Sequence, residues 1–203
     1  MKKSKKLIFA SIALGLLSIT GIQAQDKTAA FGFKGGLNFS NLYTDTVDDN
    51  NILTGFNAGL YAKLPITNSI AIQPEINYTT KGSELVTNNT VSQFKINYIE
   101  VPVLLVANIT DNFNIHVGPY AAYLINGKRT FDSNFISGEN VLDTNDFNKF
   151  DAGISGGIGI DLDIVNFGVR YNYGLTRIGK EGEFLSSDAK NSVLNMYVGL
   201  RLN

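Results

Sequence analysis

The chain contains no cysteine and no tryptophan, and His116 is its only histidine. Without cysteine there is no disulfide framework, no thiolate metal site, no cysteine nucleophile and no lipoprotein anchor, which needs a cysteine at its cleavage point. A single histidine leaves no imidazole pair for a zinc site and no ready partner for a serine nucleophile. Charge is scarce too. Only 17% of residues are charged, against 44% hydrophobic ones, where an average soluble domain carries about 25% charge. An ordinary water-facing surface is hard to build from that mixture. Beyond Ala24 the chain has no apolar run approaching the ~18 residues of a transmembrane helix. If these 203 residues enter a membrane, they do so as strands.

Residues 1–24 read as a cleaved secretory signal peptide. Lys2, Lys3, Lys5 and Lys6 form a basic start, Leu7 to Ile19 an apolar stretch, and Ile22-Gln23-Ala24 places a small residue before the cut. Removing those four lysines from 17 basic residues leaves 13 against 18 acids, a net charge of −5. A mildly acidic chain with scattered cations lacks the basic stripe of a nucleic-acid partner.

From Phe31 onward the sequence repeats with period two. Leu194, Met196, Val198, Leu200 and Leu202 share one face, and Asn195, Tyr197, Gly199 and Arg201 the other. Phe167, Val169, Tyr171, Tyr173 and Leu175 alternate in the same way with Gly168, Arg170, Asn172, Gly174 and Thr176. Eight strands are expected, near 30–40, 54–65, 69–81, 93–107, 112–125, 149–162, 164–177 and 191–203. Most have the length of a tilted membrane-spanning strand. Short turns at 66–68, 109–111 and around Asp163 alternate with long polar loops at 41–53, 82–92, 126–148 and 178–190. That spacing describes an all-β, eight-stranded antiparallel up-and-down transmembrane β-barrel, domain 25–203, with short periplasmic turns and long extracellular loops.

The polar face is mostly Gly, Asn, Ser and Thr, where a wet exterior would show Lys and Glu. Small side chains suit a narrow eight-stranded interior. Aromatics collect on the apolar face. Phe39, Phe56, Tyr78, Phe94, Tyr123, Phe150 and Tyr173 fall near the long-loop ends, and Phe31, Phe113 and Phe167 near the short turns. Two such belts mark the two interfaces of a bilayer.

The same parity turns Lys34, Lys63, Glu75, Asp151, Asp161, Arg170 and Arg201 into the lumen, with Glu100 assigned there as well. Lys34, Glu75, Glu100 and Arg170 are the candidate structural lumen charges. The seventh strand lies across the barrel from the third and fourth, so Arg170 can reach either carboxylate, and pairing would remove the cost of an isolated buried charge. His116 reads as a polar lumen residue. Pro74 and Pro102 interrupt proposed strands, and the alternation slips near Asn97. A β-bulge there accounts for both.

Gly153 to Gly159 is glycine-rich but alternates as a strand and opens no helix, so it is no nucleotide loop. The acids Asp45, Asp48 and Asp49, and Asp143 and Asp146, lack calcium-loop spacing. No cofactor, metal or catalytic residue is expected.

The stretches Gly32–Leu42 (GFKGGLNFSNL), Gln73–Tyr78 (QPEINY), Tyr98–Leu105 (YIEVPVLL), Gly118–Tyr123 (GPYAAY) and Arg170–Leu175 (RYNYGL) resemble the PorT-type family of bacterial outer-membrane β-barrel proteins. The resemblance implies an integral outer-membrane barrel and, from the member that names the family, a link to protein secretion. Such barrels typically end in an aromatic residue, whereas this chain ends Leu202-Asn203. The expected role is non-enzymatic, structural or surface-interacting through the extracellular loops. The alternatives are an accessory subunit of a secretion or envelope machine, then a small-solute transporter. Expected partners are outer-membrane lipid and an envelope protein or extracellular ligand at the long loops, with the barrel itself a monomer.

Overall fold

The computed structural model describes residues 28–43, 51–87, 90–133, 137–142, 147–179 and 189–203. The signal peptide and the acids Asp45, Asp48, Asp49, Asp143 and Asp146 lie outside the described residues. Among the described residues nine strands are formed: β1 (Ala30–Tyr43), β2 (Leu53–Pro65), β3 (Ile70–Thr87), β4 (Thr90–Asn108), β5 (Phe113–Ser133), β6 (Ser137–Val141), β7 (Phe150–Asp161), β8 (Val165–Gly174) and β9 (Lys190–Arg201). Eight of them close an antiparallel ring in the order β1-β2-β3-β4-β5-β7-β8-β9, with β9 returning to β1 from Gly32↔Arg201 to Tyr43↔Lys190. Closure satisfies the backbone groups that hydrocarbon cannot.

The polarity is inside-out. Leu37, Ile158, Met196 and Val198 face outward at 51%, 50%, 46% and 45% exposure, while Lys34, Glu75 and Arg170 are buried at 6%, 4% and 2%. In water such a continuous apolar exterior would be untenable, since soluble monomers rarely expose more than a few hundred Å² of it. In a bilayer it is the correct solvent-facing surface. Phe56 and Tyr78 of the outer belt stack at 5.7 Å.

The turns at one end repeat a device. In Ile66-Thr67-Asn68-Ser69 the Thr67 hydroxyl accepts from the amides of Ser69 and Ile70 at 3.3 and 3.0 Å. In Ile109-Thr110-Asp111-Asn112 the Thr110 hydroxyl accepts from Asn112 and Phe113 at 3.3 and 3.0 Å. Side-chain turns of this kind end a strand within four residues.

Three expectations are corrected at the other end. Of the expected loops, residues 82–87, 90–92 and 126–133 are strand. β3 and β4 run on to Thr87↔Thr90, β5 to Ser133, and β6 pairs with β5 from Lys128↔Val141 to Asp132↔Ser137. The result is a four-stranded sheet rising out of one side of the barrel. With water on its outer face, apolar–polar alternation no longer marks these residues as strand, although their backbone pairing is unbroken. Gly82 sits where β3 leaves the barrel, with φ +149° and an added Cβ meeting Phe94 O at 1.8 Å, so this bend requires glycine.

Second, the slip near Asn97 is not in its own strand. Ile96, Tyr98, Glu100, Pro102, Leu104 and Val106 all point inward on an unbroken β4. The register shifts between Asn97↔Asn126 and Tyr98↔Leu124, which leaves Ile125 of β5 as the extra residue. The prolines sit elsewhere. Pro74↔Val103 and Asn77↔Glu100 belong to one unshifted register, in which the ladder only lapses for two rungs beside Pro102. Third, Phe94 belongs to no outer belt. It packs inward against Phe147 at 5.5 Å, on a buried cluster of Leu42, Ile96, Tyr98, Tyr120, Ala122, Leu124 and Ile178.

Candidate functional site

Inside the ring, large side chains lie over glycines. An added Cβ would meet the Tyr61 ring from Gly32 at 2.6 Å, the Tyr120 ring from Gly153 at 2.7 Å and the Tyr197 ring from Gly168 at 2.4 Å. The glycine-rich run of β7 is therefore lumen wall, cleared for aromatic rings from neighbouring strands.

Two charge centres occupy that interior. In the first, Glu75 of β3 accepts both arms of the Arg170 guanidinium from β8, at 2.8 and 3.0 Å, and the Lys34 ammonium from β1 at 2.5 Å. Gln73 and Asn77, two residues to either side on the same inward face, also donate to it at 2.8 and 3.0 Å. The Tyr197 ring lies under both cations, 4.5 Å from Lys34 Nζ and 5.2 Å from the Arg170 guanidinium carbon. In the second, Lys81 of β3 is fully buried between Glu100 at 2.7 Å and Asp151 at 3.1 Å. The rings of Tyr120 and Tyr98 flank its ammonium at 4.4 and 5.3 Å.

The four sequence-derived lumen residues are thus divided. Lys34, Glu75 and Arg170 are brought together; Glu100 is not, and takes Lys81 and the Asn172 amide (3.2 Å) instead. Lys81 was absent from the expected set. Its signal was the inward parity running Glu75, Asn77, Thr79, Lys81, hidden because residue 81 looked like the last of its strand. Lys34, Lys81 and Arg170 balance Glu75, Glu100 and Asp151, so the interior is neutral. Between the centres runs an amide network. Asn38 donates to Thr79 Oγ1 at 2.8 Å and accepts from Asn57 and Asn195 at 2.9 and 2.6 Å.

The two ends of the lumen differ. At the extracellular end the Leu42–Ile96–Leu124–Ile178 cluster closes it. At the turn end a cavity of about 540 Å³ opens, lined among others by Tyr61, Lys63, Asn114, Asp161, Asn166 and Arg201. Its polar groups largely satisfy one another. Lys63 donates to Asp161 at 2.7 Å and Asn108 at 3.1 Å, Asn166 to Tyr61 at 2.7 Å, and Arg201 to the Asn203 carbonyl. His116 reaches Asn114 at 3.1 Å. Among the described residues no group of three or more His, Cys, Asp or Glu side chains is arranged to hold a metal ion.

On the outer face, the boundary of the lipid-facing band is drawn by a polar rung across three strands. Thr80 donates to Asn97 at 2.7 Å, and Asn97 to Asn126 at 2.6 Å. Below it the outward residues are Tyr78, Ile99 and Tyr123; above it they are Gly82, Lys95 and Lys128. Beyond that line, among the described residues, β6 pairs with β5 alone, and the opposite edge of the sheet, β3 beyond Thr79, is met only by the bridge Asn51↔Glu84.

Comparison with known proteins accords with this geometry. No curated protein sequence matches the chain. Among solved structures, the attachment invasion locus protein Ail of Yersinia pestis aligns over 87% of this chain and 100% of its own, at 15% identity and TM-score 0.51. The same protein in complex with the heparin analogue sucrose octasulfate aligns over the same shares at 17% identity and TM-score 0.52. Neisserial surface protein A does so at 13% identity and TM-score 0.52, again over 87% and 100%. These likenesses show the fold. The sequence model of the outer membrane protein beta-barrel domain matches residues 23–179, most of the chain and nearly all of its ring. The chain belongs to the outer membrane protein beta-barrel domain family and is an integral protein of the bacterial outer membrane.

Proposed function

We propose that this barrel is a non-enzymatic surface-interaction protein whose working part is the extracellular sheet of β3–β6, held upright by a rigid, closed barrel. The observation that carries the reading is the combination of a blocked lumen with a strand edge presented outside. The apolar cluster and two charge centres fill the barrel interior, as expected for eight strands, so the lumen offers no aqueous path for a solute. The β6 edge, in contrast, presents backbone groups that pair with no other strand among the described residues. Such an edge is suited to accept an extended segment of another protein as an added strand. The charge centres stabilise the scaffold and do no chemistry.

The test is site-specific photo-crosslinking from Asn140 of β6 in living cells, with Asn166 at the turn end as control. Partner adducts from position 140 that vanish when residues 137–142 are deleted are expected. A uniform absence of adducts, or a steady open-channel current in planar bilayers, defeats the reading.

A second reading is favoured by the PorT-type stretches, above all Gln73–Tyr78 and Tyr98–Leu105, which supply Glu75 and Glu100 to the two charge centres. On that reading the partner is a subunit of a secretion or envelope machine, and the cavity at the turn end is the docking face. Co-purification from native membranes that survives deletion of 137–142 but not substitution at the turns would favour it over the first.

A further inference from the structure

The cavity at the turn end is a dead end. Lys34, His116 and Tyr197 stand at its inner end, and Glu75, held by Lys34 and Arg170, closes the lumen behind them. A solute entering from the periplasmic side can therefore bind and leave but cannot cross. At about 540 Å³ the space is that of an ordinary small-ligand pocket, about 300–1,000 Å³. The charges on its lining are matched. Lys63 and Arg201 are countered by Asp161 and Asp111, and Lys34 is engaged by Glu75.

A chain of hydrogen bonds sets what this lining offers. Lys63 and Asn114 both donate to Asp161 Oδ2, at 2.7 and 2.9 Å. With its Nδ2 on Asp161, Asn114 turns Oδ1 to His116 Nδ1 at 3.1 Å. That oxygen can only accept, so in the neutral ring the proton sits on Nδ1 and Nε2 is a bare acceptor. His116 is 2% exposed, and its Nε2 takes no hydrogen bond from any described residue. A buried acceptor is costly unless something donates to it. Three other groups are half-used. Asp161 Oδ1 accepts from no described residue. The Tyr61 oxygen accepts from Asn166 at 2.7 Å, which leaves its O–H to donate. Arg201 spends Nε on the Asn203 carbonyl and keeps its terminal nitrogens. The lining thus has two acceptors and two donors to give. An ammonium ligand serves only the acceptors and a carboxylate only the donors, whereas an alcohol hydroxyl serves both.

We propose that this cavity binds a neutral sugar of one or two rings, either free in the periplasm or at the exposed end of a cell-wall glycan strand. His116 Nε2 and Asp161 Oδ1 accept from its hydroxyls, and Tyr61 and Arg201 donate to them. The Tyr61 ring adds a flat apolar surface suited to the C–H face of a sugar. Neutral walls and a closed inner end favour an uncharged solute that is held over one that passes through. The site is at the opposite end of the barrel from β6, so it stands whether or not that edge binds a partner. A protein docked at the turns would cover the same mouth and is the competing occupant.

The experiment uses the barrel purified from native membranes without sugar-headed detergents, which would compete, and placed in phosphatidylcholine nanodiscs. Saturation transfer from the protein to maltose, cellobiose and di-N-acetylchitobiose is measured by NMR, with glutamate and spermidine as charged controls. Transfer to at least one disaccharide and to neither control is expected. Tyr61→Phe keeps the ring and removes the donor, and should weaken that binding about fivefold or more. His116→Phe should do the same, and Tyr61→Phe carries the test alone if that variant does not fold. Gln93→Ala, at the far end, should bind as the wild type does. Retention of the barrel on peptide-free glycan strands, released by the same disaccharide, identifies the wall as the source; disaccharide binding without retention identifies a free solute. No transfer to any of the three sugars overturns the proposal and leaves the cavity to a protein partner. So does undiminished binding by Tyr61→Phe, which would mean contact elsewhere on the surface, or equal transfer to the charged controls, which would mean an unselective polar cavity.

Discussion

Below the Thr80–Asn97–Asn126 rung the molecule has apolar residues outside and charges within; above it polar residues face outward, and Phe94 and Ile96 turn in beside the buried Lys81. In the lower region Leu37, Ile158 and Met196 face outward while Lys34, Glu75 and Arg170 are enclosed. In the upper region Gln93, Lys95 and Lys128 face outward while Phe94 and Ile96 are turned in. The strands are continuous across the line, although β5 carries its extra residue Ile125 there and β3 bends at Gly82 just above it. The solvent changes at the same height. The comparison teaches that a side chain's direction follows the medium at its height, and that the apparent slip in the pattern of β4 is the record of crossing from hydrocarbon into water.

Substitutions can break that comparison at different points. The largest effect is expected at Glu75, where three strands meet on one carboxylate. Glu75→Ala leaves Lys34 and Arg170 buried without their counter-ion and should cost about 3–5 kcal/mol, read as a lowered urea midpoint in detergent or bilayer. An unchanged midpoint, in this variant or in Arg170→Ala, would refute the structural role of the network. Next comes a charge placed on the lipid face. Met196→Arg should cost about 2–4 kcal/mol near the bilayer midplane, whereas the same charge at Gln93, outward but above the line, should cost within about 0.5 kcal/mol. Equal costs at the two positions would erase the boundary drawn here. Gly82→Ala tests the bend between the regions. Its positive φ and the contact with Phe94 O predict a loss of about 1–3 kcal/mol, seen as faster hydrogen exchange in β3 and β4 beyond residue 82 with the ring left protected. Smallest is Gln93→Ala, which removes only the exposed bond to Glu84 and should move the midpoint by less than about 0.5 kcal/mol.

Most of the ring was legible in the sequence because hydrocarbon enforces strict alternation. Where every second residue must be apolar, parity alone assigns Lys34, Glu75, Asp151 and Arg170 to the lumen. Legibility failed at the water-exposed end for a physical reason. With a polar outer face and an apolar plug, Phe94 and Ile96 carry the outward signature of the lower strands while pointing inward. The slip at Asn97 lies beside the bulge but comes from the change of medium along an unbroken β4, while the extra residue is Ile125 on the neighbouring strand. Pro74 and Pro102 invited a bulge and need none, since two missing rungs are enough to accommodate them. Lys81 escaped notice because its strand continues past the point where alternation fades.

Composition and period together determined a closed sheet with apolar residues outward. Few charges, long two-fold runs and no helical apolar stretch leave no other way to satisfy every backbone group in a lipid phase. The tertiary structure alone decided which charges meet. Arg170 faces two carboxylates across the lumen and takes Glu75, because Lys81 of β3 reaches Glu100 and Asp151 first. Pairing of that kind depends on stagger around the ring, a property of eight strands closing together that no strand carries in its own residues.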